Sequence, residues 1–485
     1  MPWQHALTGY ALTSHDDPRA EQRLDTKEAP VALADELRTI VGTDFVVTQR
    51  EQIGQYLLDE TPQAVKPVAA DNVIVVKPAS AAQISDILKL ANRTRTPLYP
   101  RGGGTSTVGG PIPTSDGIVL SLERLDHVVE IDMENMMVVA ESGVTMETLL
   151  RAVEGAGLFF PPHPGDEGAQ VGGVIACNAG GSRAVKYGIV RNYVKGLEVV
   201  LPTGEIVTMG GKLLKNNTGL DLMHLMIGSE GTLGIITKAV FRLYPRAAVT
   251  AVLLVSFEER HAAVAAVPRV LQAGIIPLAI EYVERDIIEI SARHLGLTWP
   301  AKTGDAHIIF TVDGNSEDEV YGQCQRIAEV CDANGAVDTL FAETRQEQDN
   351  ILKMRNELYG VLMPDLAESL DLAVPPARVA DFLDAVERIA VQYGSRIPNY
   401  GHAADGNLHP HLMMDLQQRG LLWTVKDAIY EEGAKLGGIV TAEHGVGRSR
   451  RVYFDRYTDE TSKRLMRGIK QLFDPNNILN PGAAM

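Results

Sequence analysis

Glycine falls in three dense stretches of the first half of this chain, each entered or left through a short apolar run: "YPRGGGTSTVGG" at 99–110, "HPGDEGAQVGGVIACNAGG" at 163–181 and "IGSEGTLGIIT" at 227–237. Glycine lets the backbone turn through positive φ and lets a ligand approach the amides closely, so successive N–H groups can converge on a pyrophosphate. One such stretch reads equally well as a flexible turn. Three in one half of the chain, in small residues well beyond what a soluble helix or strand needs, predict a long ligand laid flat against backbone. None of them matches G-x-G-x-x-G, and the pattern G-x-x-x-x-G-K-[ST] is absent from the sequence, which argues against a nicotinamide-binding Rossmann unit and a P-loop.

The pattern around the glycines sets the organisation. A β-branched run at 73–77 is followed by Ser80 as a helix cap, by Ile84, Ile87, Leu88 and Ala91 at helical spacing, and by a second strand at 98–100, a β-α-β unit. At 485 residues the chain exceeds what a single core supports. Residues 1–30 read as an arm, 31–246 as the ligand-binding domain and 247–450 as a second α+β domain. In the latter, strands at 251–257 and 308–312 alternate with helices at 261–273, 317–333, 343–360 and 378–393. Residues 451–485 form a C-terminal segment with a basic amphipathic helix at 459–473, ending in "DPNNILNPG".

Charge and cysteine content remove several function classes. A formal net charge of −17 works against nucleic acid and anionic lipid as partners. Only Cys177, Cys324 and Cys331 are present, with no C-x-x-C, which excludes cysteine-held zinc, iron–sulfur and c-type haem sites and fits a reducing compartment. Neither a signal peptide nor an apolar run long enough to span a membrane is legible, so the expected location is cytoplasmic, or at most peripheral to a membrane.

The second half concentrates polar chemistry. "HAADGNLHPHL" at 402–412 places His402 and His409 on either side of an Asp-Gly-Asn turn, and "TAEHGVG" at 441–447 adds Glu443 and His444. Two imidazoles with one carboxylate form a usual set for Zn, Mn or Fe(II). By spacing alone they read equally as separately hydrogen-bonded loop histidines, or as the centre of a metal-dependent hydrolase or lyase whose phosphorylated substrate sits in the glycine loops. His411 reads as structural support, and Asn407 as a turn former or a hydrogen-bonding group of the site. Arg355 in "ILKMRNELYG" has the planar fork that suits a carboxylate, the alternative being an ion pair with Glu357; Tyr359 lies one helical turn on.

Taken in order, "PRGGGTS", "GGVIACNAGG", "KYGIVRNYV", "GSEGTLGIIT", "GHAADGNLHPHL", "TAEHGVGRSRR" and "FDPNNILNPG" resemble the FAD-linked 2-hydroxyacid oxidoreductases of the vanillyl-alcohol-oxidase, or PCMH, type. The resemblance is greatest to the glycolate oxidase flavin subunit and the D-lactate and D-2-hydroxyglutarate dehydrogenases, and covers roughly residues 45–485. It implies an α+β fold: a PCMH-type FAD-binding domain of two α+β subdomains, a cap domain with an antiparallel sheet covered by helices, and a C-terminal segment returning to the FAD domain.

The resemblance also implies residue roles. FAD would be lined by Pro100, Arg101, Gly102, Gly103, Gly104, Thr105 and Ser106; by Pro164, Gly165, Gly172, Gly173, Cys177, Asn178, Gly180, Gly181 and Gly188; and by Glu230, Gly231, Gly234, Ile235 and Asn480. Thr105 stands where tethering relatives carry a histidine, so FAD is expected to be noncovalent. His402, His409 and Glu443 would hold a divalent cation, His444 would act as base, and Arg355 would hold the substrate carboxylate with Tyr359 and Asn407 nearby. The implied reaction oxidises a D-2-hydroxyacid, D-lactate- or glycolate-like, to the 2-ketoacid by hydride transfer from C2 to flavin N5, with the hydroxyl acidified by the cation.

"ESLDLAVPPARV" at 368–379 lacks the lysine with which some 2-hydroxyglutarate enzymes hold a distal carboxylate, and Pro410 points the same way, toward a smaller or more apolar acid. Ala404 departs from the glycine of many relatives. Electrons would pass to an external acceptor: a partner subunit, electron-transfer flavoprotein, a quinone, a cytochrome or oxygen. A homodimer is compatible with the sequence. A non-catalytic FAD-binding subunit is the remaining alternative, and the joint presence of His402, His409, Glu443 and His444 argues against such decay.

Overall fold

The structure, a computed structural model, describes residues 29–484. The arm expected over 1–30 lies outside the described residues except for its last two, which open the helix Ala29–Val41.

The β-α-β unit forms as its pattern dictates. Val73–Val76 is buried along its whole length. Ser80 Oγ accepts the Gln83 amide at 3.2 Å and starts the helix Ala81–Thr94, which buries Ile84, Ile87, Leu88 and Ala91 and ends on Arg95 in the left-handed region. Val46–Val47, Val73–Val76, Gly117–Ser121 and Leu98–Arg101 then lie side by side, the last three parallel. The first glycine stretch therefore leaves the carboxyl end of a parallel strand, where open sheets of this kind place their ligands.

A second sheet of antiparallel pairs orders Val128–Asp132, Met137–Glu141, Ile235–Arg242, Val194–Val200 and Ile206–Gly210. The short helix Val171–Cys177, which carries much of the second glycine stretch, packs on it. Gly172 lies so close that a Cβ would stand 2.8 Å from Ser142 Cβ.

The remaining large sheet is antiparallel throughout, in the order Ala336–Ala342, Val249–Phe257, Ala306–Gly314, Ala279–Glu284, Asn399–His402, Asn407–Met413 and Leu366–Ser369. Helices cover both faces. Arg260–Gln272, Glu317–Asp332, Val379–Tyr393 and Leu422–Lys435 pack on one, while Arg285–His294, Arg345–Asn356 and Leu358–Leu362 pack on the other.

The chain ends where it began to bind. Asp474 accepts the amides of Ile478 and Leu479, turning the C terminus so that Ile478 O receives the Leu98 amide at 2.7 Å and Asn480 N reaches Leu98 O at 2.8 Å. This seats Asn480 beside the first glycine stretch, its Nδ2 donating to Gly110 O and Glu230 O. No helix among the described residues is long and apolar enough to cross a membrane.

Candidate active site

One cavity of about 630 Å³ runs between the glycine loops and the histidine cluster. Its FAD-domain wall includes Pro100, Arg101, Gly102, Gly103, Gly104, Thr105 and Ser106; Pro164, Gly165, Gly172, Gly173, Cys177 and Gly181; and Glu230, Gly231, Gly234, Ile235 and Asn480. Its other wall includes Arg355, Tyr359, Tyr400, His402, His409, Glu443 and His444. Of the residues singled out from sequence, Asn178, Gly180, Gly188 and Asn407 do not line it. Asn178 ends the helix Val171–Cys177 in the left-handed region and accepts the Arg191 amide. Gly188 turns at positive φ over Asn192, and Gly180 packs against Glu443, where a Cβ would stand 2.7 Å from Oε2. Asn407 is buried, its Nδ2 donating to Asp371 Oδ1 at 2.8 Å and to Leu372 O at 3.2 Å.

The histidines meet because they share one face of a hairpin. Asn399–His402 pairs with Asn407–Met413 so that Tyr400 faces His409 and His402 faces Asn407, with all four side chains on the same side. Gly406, at φ 81°, closes the turn against Val374 O, 2.0 Å from where a Cβ would sit. His411 continues that face behind Tyr400, their rings stacked at 4.7 Å, and burial pulls its pKa down to about 3, leaving a neutral structural imidazole.

Against this hairpin stands the 441–447 turn. Glu443 Oε1 lies 3.6 Å from His402 Nε2, 3.5 Å from His409 Nε2 and 3.7 Å from His444 Nε2. These separations are too long for good hydrogen bonds. For His402 and His409 they suit atoms sharing an ion with Glu443, since donors about 2.1 Å from a tetrahedral centre lie about 3.4 Å apart; ligand atoms of Asp371, His409, Glu443 and His444 all fall within 4.8 Å of one another. His409 Nδ1 is buried without a partner. Burial pushes the Glu443 carboxyl up, but the facing imidazoles of His402 and His409 outweigh it and hold the group well below its usual range. The donor set fits a divalent cation.

Glu281 and Asp371, neither singled out from sequence, organise these groups. Glu281 accepts His402 Nδ1 at 2.7 Å, which turns Nε2 toward Glu443, and it pairs with Arg355 in place of the Glu357 partner that sequence offered. Burial opposes the Glu281 charge, yet Arg355 and His402 prevail and hold its pKa down to about 2. Asp371 has no exposed surface and accepts donors from the 441–447 turn, from Arg450 and from Asn407. The available signal was an acid set between apolar residues, "AIEYV" and "LDLAV", since a buried charge requires a partner.

His444 stacks on His409, ring centroids 5.2 Å apart. Burial lowers its pKa, the Arg450 guanidinium adds to this, and Asp371 opposes. Cys177 is an inert thiol, pushed up to about 12 by burial and the nearby Glu230.

The FAD-domain wall offers what a flat cofactor needs. Gly165 and Gly173 have open space where a side chain would be, and the Arg101 guanidinium is turned away onto the carbonyls of Leu58 and Gln55. Glu230 reaches across to accept the amides of Val446 and Gly447, both at 2.8 Å.

Comparison with known proteins agrees with this arrangement. Residues 73–210 match the FAD binding domain family, and 246–484 match the family described as FAD linked oxidases, C-terminal domain. The D-lactate dehydrogenase of Archaeoglobus fulgidus is 41% identical over 88% of this chain and 94% of its own length. The glycolate oxidase subunit GlcD of Bacillus subtilis is 37% identical over 88% and 91%. A probable mitochondrial D-2-hydroxyglutarate dehydrogenase of Oryza sativa subsp. japonica is 30% identical over 92% and 80%. Among solved structures, 4-ethylphenol oxidase from Gulosibacter chungangensis superposes with a TM-score of 0.75 at 19% identity, over 94% of this chain and 97% of that one. p-Cresol methylhydroxylase gives 0.74 at 18% identity over the same shares, a likeness of fold. The fold is thus the PCMH-type flavoprotein fold, and the chain belongs to the FAD-linked oxidoreductases that include the D-lactate dehydrogenases and glycolate oxidase subunits. It is an FAD-dependent oxidoreductase.

Proposed function

We propose that the chain oxidises a D-2-hydroxyacid of the D-lactate or glycolate type to the 2-ketoacid, with noncovalent FAD and a divalent cation held by His402, His409 and Glu443. The observation that carries this reading is the convergence of three imidazole nitrogens on one carboxylate oxygen, in the wall of the cavity that the glycine loops line. When bound, FAD supplies the hydride acceptor and the cation supplies Lewis acidity.

The protein's own groups do the rest. Arg355 stays charged through its pair with Glu281, and its buried Nε, without a partner, is a donor left for the substrate carboxylate. Tyr359 Oη, on the following short helix, is likewise buried and free on the same wall. His444, kept neutral by burial and Arg450, takes the hydroxyl proton at Nε2. Electrons then leave to an external acceptor.

A monocarboxylate is favoured over 2-hydroxyglutarate. Arg355 is the one lysine or arginine on the cap-side wall among the described residues, and it is already paired, while Ser369 of "ESLDLAV" lines the cavity. The test is anaerobic mixing of the purified protein with D-lactate, L-lactate, glycolate, D-2-hydroxyglutarate and D-mandelate while following the oxidised flavin band. D-lactate or glycolate is expected to bleach it and L-lactate to leave it. Bleaching by none of the five removes this reading.

A further inference from the structure

The cation-site groups come from two segments with no ladder between them, the hairpin 399–413 and the irregular turn 441–447. Resting on the cation site proposed above, we propose that Asp371 is the positioning residue that joins these halves and sets the separation of His402 and His409 from Glu443. Its Oδ1 accepts Asn407 Nδ2, on the hairpin, at 2.8 Å. Its Oδ2 accepts three successive amides of the turn, Ala442 at 3.1 Å, Glu443 at 3.1 Å and His444 at 2.9 Å. The same oxygen accepts Thr441 Oγ1 at 2.8 Å and Arg450 Nη1 at 3.0 Å.

Three consecutive N–H groups aimed at one oxygen make a backbone nest, which fixes the direction in which Glu443 and His444 leave the chain. Asp371 oxygen also falls within 4.8 Å of atoms of His409, Glu443 and His444, so direct ligation has to be weighed. Five of the six donors fall on Oδ2, more than its two lone pairs can serve, and Oδ1 is held by Asn407 on the hairpin. Asp371 does not line the cavity in which the cation would sit. It acts through the turn it holds.

The test uses the FAD-loaded protein, stripped of metal with a chelator and titrated with Mn²⁺. Free Mn²⁺ is read by electron paramagnetic resonance and FAD by absorbance. Asp371→Asn puts an amide group among donors and is expected to weaken Mn²⁺ binding about 10- to 100-fold with FAD retained, the scale seen when a group orienting metal ligands is lost. Thr441→Val removes the hydroxyl that donates to Asp371 and Gly445 O and accepts from Arg450, keeps the shape and leaves the Arg450–Asp371 pair, and is expected to weaken Mn²⁺ binding a few-fold; it serves also if Asp371→Asn does not fold. If Asp371 is itself a ligand, Thr441→Val binds as wild type, and the positioning role falls. Wild-type affinity in Asp371→Asn also overturns it. A wild-type protein that binds neither Mn²⁺ nor Zn²⁺ removes the cation site of the proposed function, and this role with it.

Discussion

Removing one imidazole separates flavin binding from substrate chemistry. His409→Ala is expected to keep FAD, because the glycine loops belong to other elements, and to lose both cation binding and reduction by substrate; absorbance and metal analysis of one preparation check this. Gly180→Ala tests the same centre from the glycine-rich side, behind Glu443. Its new methyl would stand 2.7 Å from Glu443 Oε2, and at least a ten-fold loss of cation affinity is expected, about 1.4 kcal/mol. Glu281→Gln leaves the half-buried Arg355 charge without its acid, at a cost of about 3 kcal/mol at neutral pH in denaturant unfolding. Glu281 has a folded pKa depressed to about 2, so its contribution is complete above its usual 4.5 and lost as pH falls toward 2. The difference between wild type and Glu281→Gln should therefore narrow from pH 5 to pH 3. At this scale the sequence exposed the histidines, which are scarce at 12 in 485, and hid Glu281 and Asp371 among 62 acids. Their function depends on burial, which a sequence states only through the apolar residues around them.

The hairpin shows what spacing leaves open. The seven-position spacing of His402 and His409 fits two helical turns, the ends of a loop, or one face of a two-stranded ribbon. The pairing of Tyr400 with His409 and of His402 with Asn407 selects the ribbon. Gly406→Ala forces a methyl onto Val374 O at positive φ. Loss of stability by more than about 1 kcal/mol and of cation binding is expected, read by thermal unfolding and metal analysis. Other elements were plain: the β-α-β unit with its Ser80 cap, and the C-terminal amphipathic helix, found at Glu460–Phe473. The helix expected over 343–360 is broken at Glu357 into Arg345–Asn356 and Leu358–Leu362. There the Met354 carbonyl accepts Ser291 Oγ at 2.6 Å, a tertiary competitor that periodicity does not reveal.

At the scale of the whole molecule, the cavity joins two walls that fold on separate sheets, and Glu230 ties them by accepting amides three and four residues beyond Glu443. The order of the motifs along the chain carried this arrangement in the sequence, whereas the contact between the walls did not show, because it forms from residues more than 200 positions apart. If the cation serves the hydroxyl and FAD serves the hydride, the two requirements can be separated in one cuvette. The decisive measurement is anaerobic reduction of the flavin by D-lactate in protein treated with a chelator, shown metal-free by elemental analysis, and then reloaded with Mn²⁺ or Zn²⁺. The expected result is a flavin band that persists in the metal-free protein and is lost after reloading. Bleaching at the same rate in metal-free and reloaded protein would contradict the central claim.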